Sequence, residues 1–382
     1  MPRPPTRHAA VVVCVPGFEH LVADELDALG VRARPAGRGA LAGPMTTRQL
    51  YACNLHLATA TRVLVTAASF AASSFPELER RCRALPWDDW LPASGTVRLR
   101  VTSHRSRLVH TGAVAERVAA AVGRVPSSDG PLVVVRLDAD RVSIRLDTSG
   151  DPLHRRGWRP ELAKAPLRET AAAALLLAAG WAGDALVDPC CGSGTIPIEA
   201  ACRVRRLAPG RLRSFAFQAA PGFEPGTWAS VIGAARTDER PAGAGPPIVA
   251  RDRDAGAVAA TRANAERAGV ADDLVVEHAA VSSLVAPASA GLVVSNLPFG
   301  RRVGGGDLRN LYARLGTVLQ DRFAGWRGAF LVADRVLTGQ LGLHVEPVLA
   351  FDLGGIPAQL VVSGPFRRVT PTGRPGSTQC GR

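Results

Sequence analysis

Residues 186–198 read LVDPCCGSGTIPI, and residues 293–302 read VVSNLPFGRR. The first is a short apolar run ending in an acid, a glycine turn, and a segment able to start a helix. The second is an apolar run ending in Asn-Leu-Pro-Phe. Outward from the first, LRETAAAALLLAAG upstream has helical character. Downstream follow PIVARD, AGAVAATRANAERAG, LVVEHAA and GLVVSNLPF, reading as strand, helix, strand and strand. A helix near Leu308–Phe323, the strand AFLVAD, and closing strands near VLAFDL and AQLVVSG complete the pattern. Alternating strands and helices predict an α/β, doubly wound, mostly parallel sheet over residues 166–370. Residues 205–247 read as an irregular insertion, and 371–382, PTGRPGSTQCGR, as a disordered tail.

The first 150 residues have a different grammar. The strand AVVVCVPG leads into a helix over Phe18–Leu29, with Leu21, Val22, Leu26 and Leu29 near a 3.6-residue period. A second helix includes Gln49–Ala60, followed by the strand TRVLVTAASF. VRLRVTS alternates as a half-buried strand does, His110–Val122 is helical, and residues 131–150 read as a hairpin turning at Asp138–Asp140. This half is expected to be α+β. Residues 151–165, DPLHRRGWRPELAKA, break the periodicity and are expected to be the linker.

A chain of 382 residues with 47% hydrophobic content can build two such units. Its formal net charge is +13, which suits an anionic partner. The first 165 residues carry 23 basic against 15 acidic side chains, the remainder 23 against 18, so the first part is the more basic per residue. Lys164 is the one lysine; such a bias also follows from genomic base composition, so it is the net charge that points to an anion. The seven cysteines form no CxxC pair and no zinc-like cluster, so no metal is expected, and their scatter suits reduced thiols in the cytoplasm. The start has too short an apolar core for a signal peptide, and Thr170–Val187 reads as a buried helix and strand, not a membrane span.

The glycine turn after Val187 excludes two familiar uses. A P-loop needs Gly-Lys-Ser/Thr, but Thr195 and Ile196 follow Gly194. A dinucleotide fingerprint needs a glycine where Pro197 stands. What remains is a turn with Asp188 at a strand end, in which Pro189, Gly192, Gly194 and Thr195 leave room for a small zwitterionic cofactor. Asp188 can meet its ammonium group. Asp252, ending the next strand, can accept both hydroxyls of a ribose. The bland alternative is a glycine needed only for tight strand–helix packing.

Asn-Leu-Pro-Phe suits an exocyclic amine on a flat ring. Such an amine delocalises its lone pair and is a poor nucleophile. Two acceptors on its hydrogens, the Asn296 side-chain oxygen and the Leu297 carbonyl, can aim the lone pair. Pro298 stiffens the backbone, and Phe299 can stack on the ring for roughly 1–3 kcal/mol. The alternative is an ordinary strand-to-loop turn with Phe299 packed inside. Arg301 and Arg302 can clamp phosphates, and VGGGD beyond them can form a lid. Arg105 and Arg107 in SHRSR are the N-terminal phosphate candidates, and Arg155, Arg156 and Arg159 near the boundary can touch a nucleic acid or bridge the two units.

DPCCGSGT is similar to motif I of the class I S-adenosylmethionine-dependent methyltransferases, and SNLPFG looks like their (Asn/Asp)-Pro-Pro-(Tyr/Phe) motif. With the basic α+β half and HRRGWRPELAKAPLRETAAAALL, the chain resembles the THUMP-domain RNA guanine-N2 methyltransferases of tRNA and 23S ribosomal RNA. That resemblance implies a ferredoxin-like plus THUMP RNA-binding region over residues 1–150, then a Rossmann-like methyltransferase domain. It implies S-adenosylmethionine as cofactor and N2-methylguanosine as product. tRNA is the expected substrate because the chain is short, and a monomer the expected state. Ribosomal RNA, an adenine N6 target, and a non-catalytic RNA-binding factor are the competing readings. Two departures stand out. Ala279 and Ala280 occupy the place of an acidic contact to the cofactor's adenine amine, and Leu297 replaces the second-position proline.

Overall fold

The computed structural model describes residues 6–92, 95–159, 167–299 and 308–366. Strands and helices run in two blocks. The first comprises β1 (Arg7–Cys14), α1 (Glu19–Ala28), β2 (Arg34–Pro35), β3 (Ala40–Thr46), α2 (Thr47–His56), β4 (Ala60–Ala71), α3 (Phe75–Arg83), β5 (Thr96–His104), α4 (Thr111–Val122), β6 (Val125–Pro126), β7 (Leu132–Asp138) and β8 (Arg141–Asp147). The second comprises α5 (Glu169–Ala178), β9 (Leu186–Asp188), α6 (Thr195–Val204), α7 (Pro225–Thr237), β10 (Ile248–Asp252), α8 (Ala255–Ala268), β11 (Leu274–His278), β12 (Leu292–Asn296), α9 (Leu308–Arg322), β13 (Arg327–Val332), α10 (Arg335–Gly339), β14 (Glu346–Asp352) and β15 (Pro357–Ser363).

The first block forms one mixed sheet of eight strands in the order β2-β3-β1-β4-β8-β7-β5-β6. Period-2 alternation sets its faces: Ala10, Val12 and Cys14 of β1 go into the core, as do Val142, Ile144 and Leu146 of β8. The β7–β8 hairpin turns at Ala139 and Asp140, both with positive φ (50° and 59°), the handedness that matches strand twist. Its α+β character follows the expectation. Helix α2 stops at His56 rather than Ala60, because the chain must enter β4 there. Helix α3 was not anticipated.

The second block forms a seven-stranded sheet, β11-β10-β9-β12-β13-β15-β14. Strands β9 to β13 run parallel, and β14 and β15 close the edge as an antiparallel pair. This is the doubly wound α/β arrangement that the sequence pattern predicts. The chain leaves β9 toward β10 and β11, then returns to β12 on the other side of β9. The gap between β9 and β12 is therefore the topological switch point, where ligands bind beyond the strands' carboxyl ends.

The stretch 205–247 is not wholly irregular, because it contains α7. That helix buries only Val231 and Ala235, too few to give a readable period. An aromatic cluster holds it instead: Tyr51 of α2 stacks on Phe217 at 4.2 Å between ring centroids, and Trp228 meets Phe217 edge-on at 5.2 Å. The expected linker is likewise packed where it is described, with Trp158 and Arg156 almost wholly buried. Residues 371–382, expected to be a tail, lie outside the described residues.

One apolar core runs from Ala10 on β1 to Leu360 on β15, so the first block's helices and the second sheet share it. A second core covers the other face of the parallel sheet, and a third lies between α3, α4 and β5–β8. At the shared core, Phe18 meets Phe351 edge-on at 4.9 Å. Gly17 beside it has φ +103°, and a Cβ there would sit 2.5 Å from the Ala350 carbonyl oxygen. Gly17→Ala is expected to cost about 2–4 kcal/mol by strain and overlap, read as a lowered urea midpoint with unchanged slope.

Candidate active site

Asp188 ends β9 with 1% of its surface exposed. Its Oδ1 accepts the Ser295 hydroxyl of β12 at 2.7 Å and the Cys190 N–H at 3.1 Å. Burial pushes its carboxyl up to about 7, and the nearby Asp252 carboxylate adds to the rise; the two hydrogen bonds act against it. The neutral form is thus favoured by folding. The stability that this group contributes is present at low pH and is lost as pH rises through about 7.

The glycine turn lies between Asp188 and α6. Gly192 and Gly194 have φ of +55° and +82°. Gly194 immediately precedes α6, and a Cβ on it would come within 2.7 Å of Thr261 Cγ2 on α8. Tight helix packing therefore demands this glycine, whatever else the turn holds. Thr261 donates to the Gly192 carbonyl at 2.8 Å, and the buried Asn264 donates to the Ser193 carbonyl at 3.0 Å. Asp252, ending β10, accepts the Gly192 N–H at 3.0 Å on Oδ2 and the Asp254 N–H at 2.9 Å on Oδ1. Both acids and the turn are thus one hydrogen-bonded unit.

Thr195 is buried, and its hydroxyl accepts from Arg159 at 3.0 Å. The same guanidinium meets Glu169 at 3.1 Å, so it pins the start of α6 to α5. Pro189 lies between Asp188 and the turn. Ala280 is exposed, and its carbonyl accepts both the N–H and the hydroxyl of Ser283; the Ala279 N–H donates to the Asp252 carbonyl. The methyl groups at 279 and 280 bring no acceptor to an adenine amine.

Asn296 ends β12, which pairs directly with β9. Its Oδ1 is buried and, among the described residues, has no hydrogen-bond partner. A buried, unsatisfied acceptor costs about 1–3 kcal/mol, so a donor is the natural complement at this point. The Leu297 side chain is fully buried in the core, leaving only its main chain to serve the site. The Pro298 carbonyl accepts the Tyr312 hydroxyl at 3.2 Å, which braces the turn against α9. Phe299 is half-buried, with no ring contact among the described residues. Arg301 and Arg302 lie outside the described residues.

The remaining arginines divide. Arg105 and Arg107 are exposed near the β7–β8 turn, each beside an aspartate, Asp138 and Asp140. Arg155 is exposed and pairs with Asp151. Arg156 is not an RNA-contact residue. Its guanidinium is buried, donating to the Leu153 and Ala58 carbonyls and meeting Glu199 of α6. Burial removes it from any macromolecular partner and makes it a strut between the first block and α6. The sequence reading missed Ser295, Thr261, Asn264 and Glu169. The i, i+3 spacing of Thr261 and Asn264 was the available sign that one helix face was polar and inward.

Among the described residues, no group of three or more His, Cys, Asp or Glu is placed to hold a metal ion, and no helix is long and apolar enough to cross a membrane. The glycine turn, the carboxylate at the end of β10 and the unpaired Asn296 oxygen suit a nucleoside-bearing methyl donor beside an amine. Fold and site define a class I S-adenosylmethionine-dependent methyltransferase.

Comparison with known proteins agrees. An RMKL-like methyltransferase domain matches residues 156–345, and an RlmL ferredoxin-like domain matches residues 10–64. A putative RNA methyltransferase from Synechocystis sp. is 31% identical over 362 residues, covering 90% of this chain and 94% of the relative. The ribosomal RNA large subunit methyltransferase K/L of Syntrophotalea carbinolica is 36% identical over 370 residues, covering 90% of this chain and 52% of the relative. The chain thus spans about half the length of that relative. A putative methyltransferase solved in complex with SAH has 25% identity and a TM-score of 0.86, covering 95% of this chain and 99% of that one. A structure described as a predicted N6-adenine-specific DNA methylase from Listeria monocytogenes has 28% identity and a TM-score of 0.84, covering 94% and 97%. The chain belongs to the RMKL-like family of RNA methyltransferases. S-adenosylmethionine is its cofactor.

Removing the Arg156 head group should leave Glu199 buried and unpaired. Arg156→Ala is expected to lower stability by about 3–5 kcal/mol in calorimetric unfolding, while the RNA affinity of the folded variant stays at the wild-type value.

Proposed function

We propose that this protein transfers methyl groups to the N2 amine of a guanine in large-subunit ribosomal RNA. The observation that carries this reading is the buried, unpartnered Asn296 Oδ1 at the switch point, one residue beyond the Ser295–Asp188 bond. An acceptor so placed favours an N–H donor as target, and so an amine over a hydroxyl. The expectation of tRNA drawn from chain length finds no support among the relatives named above; the K/L relative is named for large-subunit ribosomal RNA. Guanine N2 rests on the motif resemblance; adenine N6 offers the same pair of N–H donors.

In this reading, S-adenosylmethionine supplies an electrophilic methyl group on sulfur. Asn296 Oδ1 and the Leu297 carbonyl accept the two amine hydrogens, turning the nitrogen lone pair away from the ring plane. Phe299 stacks on the base. Asp252 takes the ribose hydroxyls, exchanging part of its present bonding to Gly192 and Asp254. Asp188 takes the cofactor's ammonium side. A strong base is unnecessary, because the amine proton becomes acidic once the nitrogen is methylated. Rate then comes from positioning and from acceptors fixed in advance. The exposed Arg155 is proposed to touch RNA at the joint.

Asn296→Ala is expected to lower kcat by roughly 10²–10³-fold with S-adenosylhomocysteine affinity nearly unchanged, by calorimetry and single-turnover transfer. Wild-type activity in that variant would remove the amine site. Nucleoside mass spectrometry of ribosomal RNA and tRNA from a deletion strain separates the substrates: loss of N2-methylguanosine from large-subunit RNA is expected, whereas loss from tRNA or loss of N6-methyladenosine overturns this assignment.

Asp188 must be ionised to meet an ammonium group, and burial holds it near 7. Affinity for S-adenosylhomocysteine should therefore fall as pH drops below 7, by up to about tenfold per unit. Asp188→Asn should bind more weakly and lose this pH dependence; a wild-type pH profile in the variant would exclude the role.

A further inference from the structure

The face of the eight-stranded sheet turned away from α3 and α4 carries arginines on three adjacent strands. Strand alternation sends Leu99 and Val101 of β5, Val133, Val135 and Leu137 of β7, and Val142, Ile144 and Leu146 of β8 toward the core beneath those helices. The intervening positions bring Arg98 and Arg100 of β5, Arg136 of β7, and Arg141 and Arg145 of β8 to the opposite face. Register makes them neighbours. Val134 pairs with Arg100 on one side and with Arg145 on the other, and Arg136 pairs with Thr102 and Ser143.

This charge is largely uncompensated. Among the described residues, the side chains of Arg98, Arg100, Arg141 and Arg145 form no hydrogen bond or salt bridge, although Arg141 stands opposite Asp138 in register and the charge of Arg98 is felt by Asp147. Arg136 reaches Asp138 only at 3.5 Å. The Nε atoms of Arg98 and Arg145 are buried without a partner. Burial and the neighbouring Arg136 both weaken the hold of Arg145 on its proton. Like charges gathered on a partly dehydrated surface oppose folding, and nothing in the core requires arginine there. Toward the joint, Arg62 near the start of β4 pairs with Asp147, and Arg213 donates to the Ser149 and Asp151 carbonyls, which extends the row of arginines to the methyltransferase block.

We infer that this arginine face of β5, β7 and β8 binds the phosphodiester backbone of the RNA substrate. Guanidinium forks match phosphate oxygens in pairs, and Thr102 and Ser143 add hydroxyls between them. No aromatic side chain stands among these positions, so the face reads backbone charge rather than base identity. It would hold RNA at a distance from the switch point and leave selection of the base to Asn296 and Phe299. The inference rests on RNA as the substrate. It also moves the main grip from the loop arginines Arg105 and Arg107, which each pair with an aspartate, to strand arginines of which only Arg136 makes a salt bridge, a long one to Asp138.

The test uses the full chain with deproteinised large-subunit ribosomal RNA and compares Arg100→Ala/Arg136→Ala with Arg105→Ala/Arg107→Ala and wild type. Both strand positions are exposed, so folding should survive; unchanged S-adenosylhomocysteine affinity checks it. The strand variant should bind RNA at least about tenfold more weakly, with the log–log salt slope reduced by about one unit per arginine. The loop variant should change less. Wild-type affinity and slope in the strand variant overturn the inference while leaving the methylation reading intact. If wild-type protein itself shows no salt-dependent RNA binding, the RNA reading fails first. Displacement of RNA by polyglutamate at equal charge concentration would assign the face to an acidic polypeptide and also overturn it.

Discussion

The hydrogen bond from the Ser295 hydroxyl to Asp188 Oδ1 is the interaction on which the site depends. It crosses the switch point of the parallel sheet, where β9 and β12 are neighbours although 107 residues separate the bonded pair in the chain. It fixes the end of the strand that leads into the glycine turn relative to the strand that ends in Asn296. Both side chains are buried, so the bond is little screened by water. In the proposed reaction a methyl donor and a target amine have to meet within a few tenths of an ångström, and a link between the two strands assigned to them serves that.

Around this bond the molecule uses polar side chains to lock the cofactor turn from behind. Thr261 and Asn264 hold two of its carbonyls, Arg159 holds Thr195, and Arg156 ties Glu199 to the first block. Every one of these contacts joins segments distant in sequence. The shared apolar core adds the same coupling through Phe18 and Phe351. The first block and the methyltransferase block are therefore mechanically joined. If the basic strip on the first holds RNA as proposed, this joint sets the angle at which RNA enters the second, which an unstructured tether could not do.

Much of the fold was legible because the parallel strands are short apolar runs that end in residues with specific chemistry. LVD, IVARD and LVVSN each announce a strand and the polar residue that ends it. The β7–β8 hairpin was legible from clean alternation around Asp138–Asp140. Helix α7 was not, because aromatic contacts to α2 and to Phe217 hold it rather than an apolar stripe of its own. Of the two readings open for Arg156, RNA contact and bridge, only the second holds, and sequence could not choose because a guanidinium in an Arg-Arg pair looks the same whether it faces solvent or a buried carboxylate. The strand arginines were passed over for the opposite reason: within VRLRVTS and VSIRL they read only as the polar half of an alternation.

The sequence by itself determined the class of protein, since Asp188, Asp252 and Asn296 end apolar runs and the two glycines follow the first of them, a pattern whose character is local. It determined the parallel sheet, since period and turn residues are properties of neighbouring positions. Only the tertiary structure decided that Asn296 Oδ1 is buried and unpaired, that Arg156 is a strut, and that five arginines share one face of a sheet. Burial, pairing and repulsion depend on which distant segments come together, and strand register, not adjacency along the chain, sets that.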